Sequence, residues 1–162
     1  MSKRVFHTGL TVTLGVIAMS LAGMPGSASA TEAGIQMEGY QYKNVQTGLC
    51  LDSDAKGNAY TKDCGVNNPY QRWSLVWKYD GYVLRNEKTL RCLQVDGGDA
   101  VSTGQCSNYP ATSQQWDWDS LDGQRMILKS TSNGRALDSN HDGQLYTSPR
   151  STSNPYMQWW QW

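Results

Sequence analysis

Residues 51–61 and residues 137–147 repeat one pattern and decide the fold. The first stretch reads LDSDAKGNAYT and the second reads LDSNHDGQLYT. Each begins Leu-Asp-Ser, continues through a polar segment that contains glycine, and closes on Tyr-Thr, with Asp and Tyr eight residues apart. Self-similarity at a fixed period is the signature of a repeat architecture. The pattern therefore predicts a fold assembled from copies of one unit.

A degraded copy of the pattern lies between the two complete ones. Leu93 begins it, but Gln94 stands where Asp is expected and Ser102 where Tyr is expected. The chain thus carries three repeats, and only two of them have the polar and aromatic pair. This difference indicates a functional site in the first and third repeats that is lost from the second.

Four cysteines fall in the first two repeats and none in the third. Cys50 and Cys64 enclose thirteen residues, and Cys92 and Cys106 also enclose thirteen. Equal spacing in equivalent repeats predicts the disulfides Cys50–Cys64 and Cys92–Cys106. The alternative is a four-cysteine zinc site. Such a site usually has cysteines paired two to four residues apart, and this sequence has no such close pairs.

The first 30 residues predict a secretory signal peptide. Lys3 and Arg4 form a basic start, an apolar run follows over about 10–22, and Ala-Ser-Ala at 28–30 is a typical cleavage site. A membrane anchor is the alternative, but the apolar run is short for a bilayer span. The small, polar residues 31–39 predict a flexible N-terminal lead. A secreted, extracellular location also suits the predicted disulfides.

The charge balance excludes some classes of partner. Removal of Lys3 and Arg4 with the signal peptide leaves 12 basic side chains against 14 acidic ones. A nucleic acid or an anionic membrane surface would require a basic patch, so neither partner is expected. No metal-ligand cluster or phosphate loop is visible, and we therefore expect no cofactor. The sequence does not indicate the oligomeric state.

Each repeat closes on a Gln-x-Trp motif, which stands at residues 71–73, 114–116 and 158–160. In the third repeat the motif can also end one residue earlier, at Trp159. We prefer Gln158 to Trp160, because Gln-x-Trp-x-Trp then matches both 114–118 and 158–162. The indole rings and the Leu of each repeat are expected to fill a common core.

The pattern of apolar residues indicates strands rather than helices. They stand singly or alternate with polar residues, and Gly, Asn, Asp and Ser interrupt them every few positions, which is typical of short strands and tight turns. About four strands fit in each repeat, at about 40–79, 80–120 and 121–162. Closing the resulting set into a threefold barrel removes most sheet edges. The sequence therefore predicts an all-β domain over 40–162.

Three repeats of this length, each with a Leu-Asp-like and a Gln-x-Trp landmark, resemble the ricin B-type β-trefoil lectins. Within that family, the order Leu-Asp-Ser, Gly, Tyr-Thr resembles the actinohivin-like group of small secreted actinomycete lectins. The resemblance covers essentially all of 40–162. It implies a β-trefoil that binds mannose- or galactose-type residues of polysaccharides or glycans.

The residues themselves can form a shallow sugar site. A carboxylate accepts hydrogen bonds from two neighbouring hydroxyls, an aromatic face packs on the axial C–H groups of a sugar, and amides add further bonds. The resemblance implies that the aspartates bind hydroxyls and that the tyrosines line the pocket. The candidates are Asp52, Tyr60, Asn67, Asn68 and Gln71 in the first repeat, and Asp138, Tyr146, Asn154 and Gln158 in the third.

Each candidate also has a structural interpretation. The aspartates could cap turns without binding a ligand, and the tyrosines could pack at the edge of the core. The glutamine of Gln-x-Trp persists in the second repeat, where Asp and Tyr are absent. We therefore interpret it mainly as a buried hydrogen-bonding brace.

Two sites on one rigid domain predict bivalent binding of carbohydrate. An enzyme is a weaker interpretation, because a glycosidase needs two carboxylates across one sugar and the predicted pair lies in different repeats. A protein-binding β-trefoil, such as a protease inhibitor, is the alternative function, since one fold can host many functions. Its variable loops would not require the same Asp and Tyr in two repeats.

Overall fold

The computed structural model describes residues 39–109 and 111–162. The predicted signal peptide and all of the predicted lead except Gly39 lie outside the described residues. Among those described, no helix is long and apolar enough to cross a membrane. The strands are β1 (Tyr42–Asn44), β2 (Cys50–Ser53), β3 (Ala59–Lys62), β4 (Trp73–Lys78), β5 (Gly81–Asn86), β6 (Arg91–Val95), β7 (Val101–Gln105), β8 (Trp116–Ser120), β9 (Arg125–Ser130), β10 (Ala136–Ser139), β11 (Leu145–Ser148) and β12 (Trp159–Gln161).

Six strands form a barrel and six form hairpins. The barrel runs through antiparallel pairs from β1 to β12, β9, β8, β5 and β4. Tyr40 and Trp73 close it, because each backbone N–H donates to the carbonyl of the other at 2.9 Å. The hairpins are β2–β3, β6–β7 and β10–β11, one in each repeat. A six-stranded barrel with three hairpins is a β-trefoil, so the predicted fold is confirmed.

A short 3-10 helix leads from each hairpin back to the barrel. These helices are Pro69–Gln71, Thr112–Gln114 and Pro155–Met157. The tryptophan two residues after each helix is completely buried. Its indole N–H donates to the carbonyl oxygen of the leucine in the second strand of the repeat, from Trp73 to Leu51 at 3.0 Å, from Trp116 to Leu93 at 3.1 Å and from Trp159 to Leu137 at 3.1 Å.

The third Gln-x-Trp motif was assigned to the wrong register. Trp159 is fully buried and makes the indole hydrogen bond of its equivalents, whereas Trp160 is only half-buried. Met157 therefore occupies the position that Gln71 occupies in the first repeat. Gln158 takes the middle position of the motif, and the third repeat has no glutamine brace.

The three hairpins are joined by backbone hydrogen bonds around the pseudo-threefold axis. The N–H groups of Thr61, Thr103 and Thr147 donate to the carbonyls of Gly143, Gly57 and Asp99, at 2.9, 2.8 and 2.8 Å. Gly143 has φ of +80°, and a Cβ there would stand 2.5 Å from the Thr61 carbonyl oxygen. The glycine of the repeated pattern thus allows one hairpin to approach the next.

Both predicted disulfides are present. Cys50 is bonded to Cys64 and Cys92 to Cys106, with Cα–Cα distances of 5.1 and 5.0 Å. Each bond ties the segment after a hairpin to the strand that begins it. The prediction from equal cysteine spacing is confirmed.

Candidate functional site

The Asp and Tyr of the repeated pattern face each other across a hairpin. Asp52 pairs with Tyr60 between β2 and β3, and Asp138 pairs with Tyr146 between β10 and β11. Directly opposite residues of an antiparallel pair project from the same face of the sheet. The eight-residue spacing therefore places a carboxylate beside an aromatic ring in both repeats.

In the first repeat this pair lines a hollow of about 170 Å³. Tyr60 is half-buried in its wall, while Asp52 is only 2% exposed. Tyr70, Asn68 and Lys62 complete this part of the lining. The carboxylate thus lies at the base of the hollow and the ring at its side.

Gln71 holds the Asp52 carboxylate from behind. Its side chain is completely buried, and its Nε2 donates to Asp52 Oδ2 at 2.9 Å. The same Nε2 donates to the Asp63 carbonyl oxygen at 2.9 Å, and Oε1 accepts from the Gly65 N–H at 2.8 Å. Gln71 is thus a brace beneath the hollow, as interpreted from the sequence. It does not line the hollow.

The third repeat has a larger hollow, of about 350 Å³. Asp138 and Tyr146 line it, with Asp138 only 4% exposed and Tyr146 half-buried. His141 and Tyr156 also line it, and their rings meet edge to face with centroids 5.6 Å apart. His141 was not among the residues predicted for the site, because nothing in the polar segment of the repeated pattern distinguishes it from its neighbours.

Asn68 and Asn154 are brought to the hollows by capping the 3-10 helices. Their Oδ1 atoms accept from the N–H groups of Tyr70 and Tyr156, both at 3.1 Å. The Nδ2 of Asn68 also donates to Asp52 Oδ2 at 3.2 Å. An Asn cap before Pro fixes the start of a helical turn, so the repeated Asn-Pro-Tyr places an amide and a second ring at each hollow.

Two other candidates are not brought into the hollows. Asn67 is exposed and is not part of the lining of the first hollow. Gln158 is 6% exposed, donates from Nε2 to the Thr152 carbonyl oxygen at 2.8 Å, and accepts at Oε1 from Arg125 Nη1 at 3.0 Å. The register of the third motif explains this, because Gln158 occupies the middle position of that motif rather than the brace position.

The set of groups in each hollow is a buried carboxylate, an aromatic ring and a helix-capping amide. The family described as ricin-type beta-trefoil lectin domain matches residues 38–159. The chain belongs to this family. It is therefore a domain of the carbohydrate-binding type. A search of curated protein sequences found no match.

Solved structures share the fold of this ricin-type domain. The designed threefold-symmetric protein ThreeFoil has a TM-score of 0.66 and 23% identity, with 76% of this chain and 96% of that chain covered. A GlcNAcα1-4Gal-releasing endo-β-galactosidase from Clostridium perfringens has a TM-score of 0.69 and 18% identity. That match covers 77% of this chain but only 32% of the enzyme chain. At these identities the likeness establishes the fold alone.

In the second repeat of the ricin-type domain, the polar side chain at the aspartate position hydrogen-bonds within its own repeat. Gln94 lies opposite Ser102, at the positions of the Asp and Tyr. Its Nε2 donates to Asp96 Oδ1 at 2.9 Å, and its Oε1 accepts from Gln114 Nε2 at 3.0 Å. Asn108, which follows the second disulfide, is exposed. The second repeat therefore offers neither a carboxylate nor a ring at the equivalent positions.

Burial perturbs the titration of the paired groups. It raises the pKa of Asp52, against the opposing effect of the hydrogen bond from Gln71. It also raises the pKa of Asp138, where hydrogen bonds from the Ser148 side chain and the Ser139 backbone oppose the shift. The pKa of Tyr146 is raised by burial and then by the facing Asp138 carboxylate. Burial and then the facing Asp52 carboxylate raise the pKa of Tyr60 in the same way. Both phenols therefore stay in the protonated form, which can both donate and accept hydrogen bonds.

No metal centre accompanies these hollows in residues 39–109 and 111–162, where no three His, Cys, Asp or Glu side chains converge on a possible metal position. The groups at hand are hydrogen-bond acceptors, amide donors and aromatic faces. Sugar hydroxyls and C–H faces are the complement of that set.

Proposed function

We propose that the chain is a secreted lectin with two saccharide-binding sites, one in the first repeat and one in the third. One observation carries the proposal. An aspartate at the base of a hollow and a tyrosine in its wall occur at equivalent positions of both repeats, as Asp52 with Tyr60 and Asp138 with Tyr146. The second repeat has Gln94 and Ser102 at these positions.

Each site would bind one face and one edge of a sugar. The carboxylate accepts from adjacent hydroxyls in charge-assisted hydrogen bonds, which are the stronger kind. The tyrosine ring packs against the axial C–H groups, and the asparagine at the start of the 3-10 helix contributes an amide. We propose mannose- or galactose-type residues as ligands, and the likeness of the repeated pattern to the actinohivin-like lectins supports mannose.

Two sites on one domain would act together on a branched or repeated glycan. A shallow site binds a single sugar weakly, but the second contact on the same glycan is intramolecular. Linked sites of this kind raise the apparent affinity by about 10²- to 10⁴-fold where the geometry allows both contacts. We therefore propose polysaccharides or multivalent glycans as the natural partners.

Secretion is supported by the predicted signal peptide and by the two disulfides. Disulfides persist mainly in oxidising compartments outside the cytosol, and Cys50–Cys64 and Cys92–Cys106 are both formed. The N-terminal sequence of protein recovered from a culture medium would test this part of the proposal. Cleavage after Ala30 is the expected result, and retention in the cytosol would contradict it.

The binding proposal is tested with Asp52→Ala and Asp138→Ala, singly and together, on an array of polysaccharides and glycans. Each single variant should lose the avidity of the wild type, and the double variant should lose binding. Gln94→Ala in the second repeat is the matched control and should bind like the wild type. Circular dichroism would verify folding. A folded double variant with undiminished binding refutes the two-site proposal, and a captured protein that free sugar does not displace would favour protein recognition.

A further inference from the structure

The two hollows differ at the position that braces the aspartate. In the first repeat Gln71 and Asn68 both donate to Asp52 Oδ2. In the third repeat Met157 stands at the brace position, and a thioether has no hydrogen to donate. The Ser148 side chain and the Ser139 backbone hydrogen-bond to the Asp138 carboxylate, but within the described part of the chain its Oδ1 is buried and has no hydrogen-bond partner.

An unpartnered buried oxygen changes what a ligand can contribute. A buried acceptor without a donor destabilises the protein relative to the same group hydrogen-bonded. A sugar hydroxyl that donates to the Asp138 carboxylate, with a rotation about χ2 that turns the buried Oδ1 toward the hollow, would remove that destabilisation. Asp52 Oδ2 already accepts from two amides. The third-repeat site therefore gains more from the same contact.

The third hollow is also larger and has a third aromatic ring, since two tyrosines line each hollow and only the third repeat adds His141. Its volume of about 350 Å³ is about twice that of the first, at about 170 Å³. His141 lines the third hollow at the position where the first repeat has Ala55. With Tyr156 it forms an edge-to-face corner in the lining, in addition to the ring of Tyr146. The added imidazole extends the aromatic surface beyond the two tyrosines that both hollows have, which gives a second sugar ring a surface to pack against.

The charges around the third hollow select against acidic sugars. Asp138 and Asp142 line it, and no lysine or arginine does. The first hollow is also lined by two aspartates, Asp52 and Asp54, but Lys62 offsets one of these charges. Unpaired like charges brought together are a recognised means of rejecting a ligand. A saccharide with a carboxylate would meet this repulsion in the third repeat more than in the first.

We infer that the third-repeat hollow is the primary site and that it takes a neutral saccharide of at least two consecutive rings, one on Asp138 and Tyr146 and the next against His141. The first-repeat hollow takes a single ring more weakly. This inference rests on the proposed lectin function and specifies the ligand of one of its two sites.

The role of the unpartnered Asp138 oxygen is tested in the Asp52→Ala background, which leaves only the third-repeat site. Met157→Gln restores the brace of the first repeat and should engage Asp138 Oδ1. We expect the affinity for mannobiose or galactobiose to fall about tenfold, since a hydrogen bond to a charged group is at stake. Met157→Leu is the matched control, because leucine cannot donate, and it should keep the affinity of the background protein.

The packing of a second sugar ring against His141 is tested with His141→Ala in the same Asp52→Ala background. His141 is exposed, so this variant remains informative if Met157→Gln does not fold. Calorimetry would compare methyl mannoside and methyl galactoside with mannobiose, galactobiose and the acidic digalacturonate. We expect the disaccharides to lose about fivefold in affinity, the loss of one aromatic contact, and the monosaccharides to be unaffected. In the background protein with His141 intact, digalacturonate should bind more weakly than galactobiose.

The outcomes separate this inference from the lectin proposal. Equal affinity for one-ring and two-ring ligands, or a Met157→Gln variant that binds as well as Met157→Leu, would overturn the inference while saccharide binding stands. A wild-type chain that binds neither these sugars nor any glycan of the array would overturn the lectin proposal itself.

Discussion

Replacement of Gln71 by methionine gives the first repeat the residue that the third repeat has at the equivalent position, Met157. The Gln71 side chain is completely buried and makes four hydrogen bonds. Its Nε2 donates to Asp52 and to the Asp63 carbonyl, and its Oε1 accepts from the Gly65 N–H and from Gln41. Methionine can fill the space but can replace none of these contacts.

The hydrogen bonds set the size of the effect. A neutral one contributes about 1 kcal/mol and one to a charged group about 2 kcal/mol, so Gln71→Met should lower the free energy of unfolding by about 3–5 kcal/mol. Gln114 makes three neutral hydrogen bonds, to Gln94, Gln105 and Ser107. Gln114→Met should therefore cost about 2–3 kcal/mol. Met157→Leu keeps an apolar brace position apolar and should cost less than about 1.5 kcal/mol.

Equilibrium unfolding in urea with the disulfides intact would measure this series. Coincident transitions by tryptophan fluorescence and circular dichroism would establish two-state behaviour. The expected order of destabilisation is Gln71→Met, then Gln114→Met, then Met157→Leu. A loss below about 1 kcal/mol for Gln71→Met would refute the brace, because a single net hydrogen bond is worth that much.

Three further predictions concern single groups of the third repeat. Burial raises the pKa of Asp138, so its contribution to stability is present below the ordinary aspartate pKa and is lost as pH rises through the raised value. Unfolding at several acidic pH values should show that Asp138→Asn removes this dependence, and an unchanged profile would contradict the shift. Tyr146→Ala should weaken saccharide binding about tenfold and Tyr146→Phe much less, if stacking dominates; equal losses in calorimetry would assign the role to the hydroxyl. Gly143→Ala should destabilise by more than Gly134→Ala in thermal unfolding, since both have positive φ but only the first places a Cβ 2.5 Å from the Thr61 carbonyl oxygen; equal losses would argue against that close approach.

The fold could be predicted because its determinants are local and repeated. The eight-residue spacing of Asp and Tyr fits a hairpin of two short strands, and the structure pairs Asp52 with Tyr60 directly. Equal cysteine spacing predicted both disulfides correctly, because each bond also lies within one repeat. The repeated glycine marks a close approach between hairpins, which the sequence could indicate only as a turn.

The register of the third Gln-x-Trp motif was wrong because two adjacent tryptophans fit the pattern. Which indole enters the core depends on tertiary packing, and Trp159 reaches the Leu137 carbonyl oxygen. A signal was present in the sequence, since Asn-Pro-Tyr recurs at 68–70 and 154–156. Aligning on that tripeptide would have placed Met157 opposite Gln71.

Other parts of the site depend on contacts that no single-residue pattern encodes. The Asp138 carboxylate has an unpartnered oxygen in the repeat where a methionine 19 residues later occupies the brace position. His141 becomes part of a wall only because Tyr156 packs beside it. Such features require the hairpin and the 3-10 helix to be placed together, and the composition of either segment alone does not predict them.

The most direct measurement is the number of saccharide molecules that one chain binds. Calorimetry or native mass spectrometry with mannobiose and with galactobiose would count them for the wild type and for the Asp52→Ala, Asp138→Ala and double variants. Two bound molecules for the wild type, one for each single variant and none for the double variant are expected. Two molecules still bound by a folded double variant, or an unchanged count in both single variants, would contradict the assignment of the sites to these carboxylates.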